Sequence, residues 1–142
     1  MSREDYTYWV EIDVRWGDMD SQGHVNNAVY FTYCESARVE LLGKLGIRGK
    51  SGGRFGPALV STTCNFRRQV IYPSRLDVGV SVEAIGGRSF TMKYGLFLHE
   101  TSELVADASS VNAWVDYEEG RSVPLSDEMR DALADYMLLQ ID

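Results

Sequence analysis

Twelve residues, Trp16-Gly17-Asp18-Met19-Asp20-Ser21-Gln22-Gly23-His24-Val25-Asn26-Asn27, hold two carboxylates, a histidine, a flexible glycine and two asparagines of the kind that start helices. Asp20 lies just ahead of a long helical pattern, where unpaired backbone N–H groups and the positive end of the helix dipole collect. Such donors polarise a carbonyl oxygen as an oxyanion hole does. The same positive end favours an ionised aspartate. A carboxylate facing a polarised carbonyl attacks it directly or activates a water. A thioester is the electrophile that suits so sparse a site, because its carbonyl is less resonance-stabilised than an amide and its thiolate leaves with little help from a general acid. Taken singly, each of these residues also fits a plain capping turn, with an aspartate closing it, Gly23 at positive φ and Asn26 capping the helix. Their combination carries the chemical reading.

Other constellations fail. Gly49-Lys50-Ser51 ends like a phosphate loop, but the glycine required five places earlier is Lys44, and the segment follows a helix instead of leading from a strand. Histidine occurs only at positions 24 and 99, with no HExxH and no Cys/His cluster, so no metal site is expected. No GxSxG elbow is present. Cys34 neighbours Glu35 but lies on an apolar helix stripe and reads as a core cysteine.

The elements that must hold the loop follow from periodicity. Tyr6 to Trp16 alternates in part, with Tyr6, Tyr8, Val10, Ile12 and Val14 on one face, and predicts a half-buried strand. From Asn27 the period becomes helical: Tyr30, Cys34, Ala37, Leu41 and Leu45 form a stripe, while Glu35, Arg38 and Lys44 fall largely elsewhere. Asn26 or Asn27 supplies the N-cap and Gly43 or Gly46 the stop of a helix about 16 residues long. A glycine-rich loop, 47–57, comes next. Four strand-like stretches follow, Ala58–Tyr72, Arg75–Ile85, Ser89–Leu98 and Leu104–Tyr117, separated by tight turns that favour antiparallel hairpins. Pro124 and Ser126 open a last amphipathic helix with Met129, Leu133 and Met137. One sheet curled round one helix would bury the stripe. Its uncovered edge predicts a homodimer.

The bulk numbers exclude several classes. A chain of 142 residues, 44% hydrophobic, suits one domain with one core. It has no apolar run of about 18 residues for a membrane span, and the polar start Met1-Ser2-Arg3-Glu4-Asp5 is unlike a secretory signal. Cys34 and Cys64 suggest no disulfide framework, and a cytoplasmic location is the expectation. The net charge of −7 argues against nucleic-acid binding, although 54–93 is locally +4 and would suit a small anion.

The run Asp18-Met19-Asp20-Ser21-Gln22-Gly23-His24-Val25, with Tyr30 and Glu35 beyond it, resembles the D-x-D-x-x-G-x-V loop and helix of hotdog-fold acyl-CoA thioesterases of the 4-hydroxybenzoyl-CoA thioesterase group. His24-Val25-Asn26-Asn27, with Glu35 and Arg38, is similar to the branch bearing HVNN and ExxR signatures. The resemblance implies an α+β hotdog fold, a five-stranded antiparallel sheet wrapped around a long central helix, with 1–142 as one domain. It implies that Asp20 is the catalytic carboxylate, as nucleophile or general base, with helix N-terminal amides polarising the carbonyl and Asp18 in support. His24 and Asn27 complete the candidate catalytic set: some relatives have a catalytic histidine where Asn27 stands, and His24 orients the loop or touches substrate. Glu35 is a reserve acid, since other hotdog thioesterases use one from the central helix.

For substrate contact the resemblance implies Tyr30, Glu35, Phe66, Arg88 and Ser89, with Phe31 and Phe55 also lining the acyl pocket. Arg88, in Gly86-Gly87-Arg88-Ser89-Phe90, stands where the family meets nucleotide phosphates, which suit the planar fork of arginine; Arg67, Arg68 and Arg75 are secondary candidates. No cofactor is implied beyond a coenzyme A thioester as substrate, and because the basic run is thin a carrier-protein thioester stays open. So do two other functions, a hotdog hydratase or dehydratase and a non-catalytic acyl-thioester-binding protein. A tetramer built as a dimer of dimers is the larger assembly implied.

Overall fold

The computed structural model describes residues 2–47 and 53–139, so Gly49-Lys50-Ser51 lies outside the described residues. The chain runs β1 (Tyr8–Asp13), α1 (Asn27–Lys44), β2 (Phe55–Phe66), β3 (Arg75–Ile85), β4 (Ser89–Leu98), β5 (Leu104–Asp116), β6 (Arg121–Ser122) and α2 (Asp127–Ala134). Short 3-10 turns occupy Arg3–Asp5 and Trp16–Asp18. The five long strands pair antiparallel in the order β1-β3-β4-β5-β2, and β6 adds a two-residue sixth strand beside β5. This is the curled antiparallel sheet around one long helix that defines the hotdog fold, in the α+β class.

α1 begins where the asparagine pair predicts. The Asn26 side chain accepts the Ala28 N–H at 2.9 Å, and the chain leaves the helix through Gly46 at φ +73°. The helix is 18 residues long and buries Tyr30, Tyr33, Cys34, Ala37, Leu41 and Leu42. These pack against the inward-facing Val78, Val80, Met92, Tyr94 and Leu96 to form a single main core. Fully burying such side chains removes apolar surface worth roughly 1.5–3 kcal/mol each. Arg38 departs from the expected polar face: its side chain is only 11% exposed.

Three strands differ in their limits from the sequence pattern, and β2 starts at Phe55, three residues early and inside the stretch expected as a glycine-rich loop. β1 spans Tyr8–Asp13 only, because Trp16–Asp18 winds into a 3-10 turn. β5 ends at Asp116, one residue early. β2 stops at Phe66 instead of running to Tyr72. The N–H groups of Arg67 and Arg68 both converge on the Val105 carbonyl, at 2.8 and 3.0 Å, which ends the regular ladder. The Val70 carbonyl then accepts the Val25 N–H at 2.9 Å, so this segment serves the loop before α1 instead of the sheet.

β2 is also the one long strand with little cover. Most of its residues are exposed, Leu59 and Val60 among them, whereas β3 is buried from Leu76 to Val82. No helix among the described residues is long and apolar enough to cross a membrane.

Candidate active site

The loop joining β1 to α1 is held by its first aspartate. Asp18 is 3% exposed and accepts the Tyr33 hydroxyl at 2.7 Å, the Arg15 N–H at 2.9 Å and the Arg15 guanidinium at 3.1 Å. Its own carbonyl accepts the Asn26 N–H at 3.0 Å. Burial alone would raise the Asp18 pKa, but the Arg15 and Tyr33 donors outweigh it, and the net direction is downward. Burial and this carboxylate both push Tyr33 up, so it stays a neutral donor. Asp18 therefore bolts the loop to the second turn of α1.

Asp20 is set differently. Its N–H donates to the His24 carbonyl at 2.8 Å and its carbonyl accepts the Gly23 N–H at 3.1 Å, closing a tight turn that Gly23 completes at φ +81°. One carboxylate oxygen, Oδ1, accepts the Gln22 N–H at 2.8 Å and lies 3.4 Å from the His24 N–H. Oδ2 has no hydrogen-bond partner among the described residues. The turn thus orients the carboxylate through one oxygen and leaves the other without a partner among the described residues.

Asp20, His24, Asn27, Tyr30 and Phe66 line one cleft of about 520 Å³, together with Gln22, Val25, Arg67, Arg68 and Gln69. The Ala28 N–H is consumed by the Asn26 cap, the Val29 N–H is bonded to the Asn26 carbonyl at 2.9 Å, and the Asn26 N–H is taken by Asp18. Among the described residues the Asn27 N–H, the Asn27 carboxamide and the His24 ring remain without partners. At the start of α1 the free donors are therefore those of Asn27, while the Ala28 and Val29 N–H groups are already bonded. Tyr30 is 2% exposed and meets Phe66 edge-on at 5.1 Å, forming an aromatic wall that Phe31 backs at 6.4 Å from Phe66.

The remaining candidates lie elsewhere. Glu35 is on α1 beyond this cleft, lining a smaller pocket with Arg38. Phe55 is at the opposite end of β2, 44% exposed beneath the Arg54 guanidinium. Ser89 is level with Ala113 and, through it, with Ala58. Ala58 is eight residues along β2 from Phe66, or about 27 Å at strand rise. Arg88 precedes it and donates to the Ser122 carbonyl at 2.7 Å. Neither Arg88 nor Ser89 lines the Asp20 cleft within one chain. Arg67 and Arg68 do line it, though paired with Asp107 and Glu103. Gln22 and Gln69 were not singled out by the sequence pattern. Nothing in spacing marks Gln69, which enters the cleft only because β2 ends early.

Residues 14–133 match the family profile described as Thioesterase-like superfamily. The PA5185 protein of Pseudomonas aeruginosa strain PAO1 is similar at 32% identity and a TM-score of 0.88, covering 96% of this chain and 95% of that one. FadM of Escherichia coli strain K12, named a long-chain acyl-CoA thioesterase, is 25% identical over 124 residues, 87% of this chain and 94% of FadM. A 1,4-dihydroxy-2-naphthoyl-CoA thioesterase from Synechocystis shares the fold, with a TM-score of 0.83 at 22% identity, over 90% of this chain and 96% of that one.

Proposed function

This chain belongs to the thioesterase-like superfamily and its reaction is thioester hydrolysis, and on that premise we propose that it cleaves acyl-CoA thioesters in the Asp20 cleft. The observation that carries the proposal is the unpartnered Asp20 Oδ2 sharing a cleft with the unpartnered Asn27 at the start of α1. The thioester oxygen sits against the Asn27 N–H and carboxamide, which stabilise the negative charge that develops on it. Asp20 then acts in one of two ways. As a general base it takes a proton from water while the water oxygen bonds to the acyl carbon; the tetrahedral intermediate expels the thiolate, which regains a proton. As a nucleophile it forms an anhydride with release of thiolate, and water then cleaves the anhydride to free acid and carboxylate. His24 borders the cleft and orients the thioester, while Tyr30 and Phe66 flank the acyl group.

Arg88 and Ser89 enter through assembly. Two copies joined by a two-fold axis at their β2 edges would pair these strands antiparallel. That places the partner's Arg88 and the partner's Ser89 toward the Phe66 end, beside Asp20, where a coenzyme A phosphate can meet the guanidinium. The exposed length of β2, with Leu59 and Val60 uncovered, supports this homodimer, and pairing of two such dimers gives a tetramer. The substrate carrier is a small-molecule coenzyme A thioester, or a carrier-bound pantetheine that needs fewer phosphate contacts, and the enzyme works in the cytoplasm without a cofactor.

Purified protein given a panel of acyl-CoAs should release free thiol, read with a thiol-reactive dye. Asp20→Asn should lower that rate at least ~100-fold with the fold intact, the scale of a lost general base. Full turnover by that variant would overturn the role of Asp20. Single turnover in heavy-oxygen water probes the two routes: label in Asp20 marks the anhydride, and its absence from Asp20 favours the general base.

A further inference from the structure

Along α1 from Tyr30, a second pocket of about 180 Å³ opens between the helix and the start of β2, walled by Val39, Leu42, Pro57 and Leu59. Its polar lining is Glu35, Arg38 and Asn112. Arg38 donates from Nη1 to the Tyr94 hydroxyl at 3.2 Å, that hydroxyl pairs with Ser110 Oγ at 2.7 Å, and Ser110 Oγ receives the Asn112 carboxamide at 3.0 Å. Tyr94, Ser110 and Asn112 are 0%, 1% and 2% exposed, so the relay is anchored inside the sheet.

Most of the Arg38 guanidinium donors find no partner among the described residues. Of five N–H donors one is engaged among the described residues, and the nearest carboxylate oxygen, on Glu35, is 3.9 Å away on a side chain that is 63% exposed. So long a contact to a solvated carboxylate contributes little. Apart from Glu35 and Asn112, the walls around the guanidinium are apolar. A mainly apolar pocket lined by a held guanidinium with donors to spare is complementary to a hydrocarbon chain that ends in a carboxylate, which the fork binds through two parallel hydrogen bonds.

We propose that Arg38 forms a distal subsite for acyl groups bearing a terminal carboxylate, so that the preferred substrates are monothioesters of dicarboxylic acids. This rests on the reading of the Asp20 cleft as the hydrolytic site. The two pockets share no lining residue, and Arg38 is eight residues beyond Tyr30, so the acyl chain must pass along about 12 Å of the helix to join them. Glu35, already in solvent, leaves the place beside the guanidinium to the substrate carboxylate.

Rates of thiol release are compared for ω-carboxylated and plain acyl-CoAs of equal length, in a series that brackets this span. The carboxylated ester should be favoured in kcat/KM by at least about tenfold, as expected for a charge-assisted pair. Arg38→Met should abolish that ratio, and Arg38→Lys, which keeps the charge but loses the fork, should retain part of it. Calorimetric binding of the same two ligands to Asp20→Asn and to Asp20→Asn/Arg38→Met gives a readout independent of hydrolysis. Equal rates and affinities for the two ligands in the parent proteins, or a preference that survives Arg38→Met, would overturn the subsite. If neither ester is hydrolysed, the cleft assignment fails while the binding comparison still decides Arg38. Should Arg38→Met not fold, the Lys variant and the parent preference carry the decision.

Discussion

Two places in this molecule bring an aspartate, a histidine and arginines together, and they differ in what is left over. At the β1–β3 edge, Asp77 is 6% exposed and bonds Arg3 Nη2 at 2.7 Å and His99 Nδ1 at 2.8 Å, while Arg75 reaches Asp13 at 2.9 Å and Glu11 at 3.8 Å. Arg3 lies over the Trp9 ring at 4.4 Å. Glu11, Asp77 and His99 come close enough to suggest a metal triad, but Arg3 and Arg75 already supply the positive charge there. In the Asp20 cleft, by contrast, Oδ2, Asn27 and the His24 ring have no partners among the described residues. At the first place Asp77, Asp13 and Glu11 each have a cationic partner, although Arg3 Nη1 is buried without a hydrogen-bond partner. Unsaturated groups facing a cleft are what a substrate can use.

Exchanging the same lesion between the two places gives the sharpest test. Asp20→Asn should cost at least ~100-fold in rate with little change in melting temperature. Asp77→Asn should do the reverse, leaving turnover close to wild type but destabilising the fold by roughly 1–3 kcal/mol, because Arg3 loses its charged partner. A stability loss in the first variant or a rate loss in the second would erase the distinction. A smaller effect falls between them. Tyr33→Phe removes the hydroxyl bonded to Asp18 and should destabilise by about 1–2 kcal/mol. Because Asp18 bolts the loop that carries Asp20, the variant's kcat should also fall, though well short of the Asp20→Asn loss. An unchanged kcat would show that the loop keeps its shape without that bolt.

Acid should expose the structural acids by a more gradual route. For Asp77, as for Asp18, burial acts to raise the pKa, but His99 and Arg3 outweigh it and lower the value overall. Arg54 and the amides of Glu118 and Glu119, working against burial, bring Asp116 down to about 2. A folded value below the unfolded one, near 3.9, means that the stabilisation is complete above about pH 4. It is lost as pH falls through the lower folded values. Denaturant midpoints should therefore be flat above pH 5 and drop below pH 4. Asp77→Asn should flatten that drop.

Much of the scaffold was legible because it depends on local pattern. The alternating runs at Arg75–Ile85 and Ser89–Leu98 became β3 and β4 at those limits, since each strand alternates against neighbours on both sides. The asparagine pair marked the start of α1 because capping is a contact between residues two apart. The acidic loop could be identified as a unit for the same reason: its turn is closed by its own backbone.

What sequence pattern left open involves contacts between distant residues. Arg67 to Tyr72 has the composition of a strand, yet both its leading amides turn to Val105 and Val70 pairs with Val25, 45 positions earlier. Arg38 has the composition of a surface residue but reaches Tyr94, 56 positions later. Asp18 and Asp20 are the same residue two places apart, and only the fold turns one toward Tyr33 and the other toward a cleft. The sequence by itself determined the element order, the helix cap and the turn that presents a carboxylate, because those are set by backbone preference and short-range hydrogen bonds. Tertiary structure decided which polar groups end up saturated and which stay free, because hydrogen-bond partners at long separation are chosen only when the sheet closes around the helix.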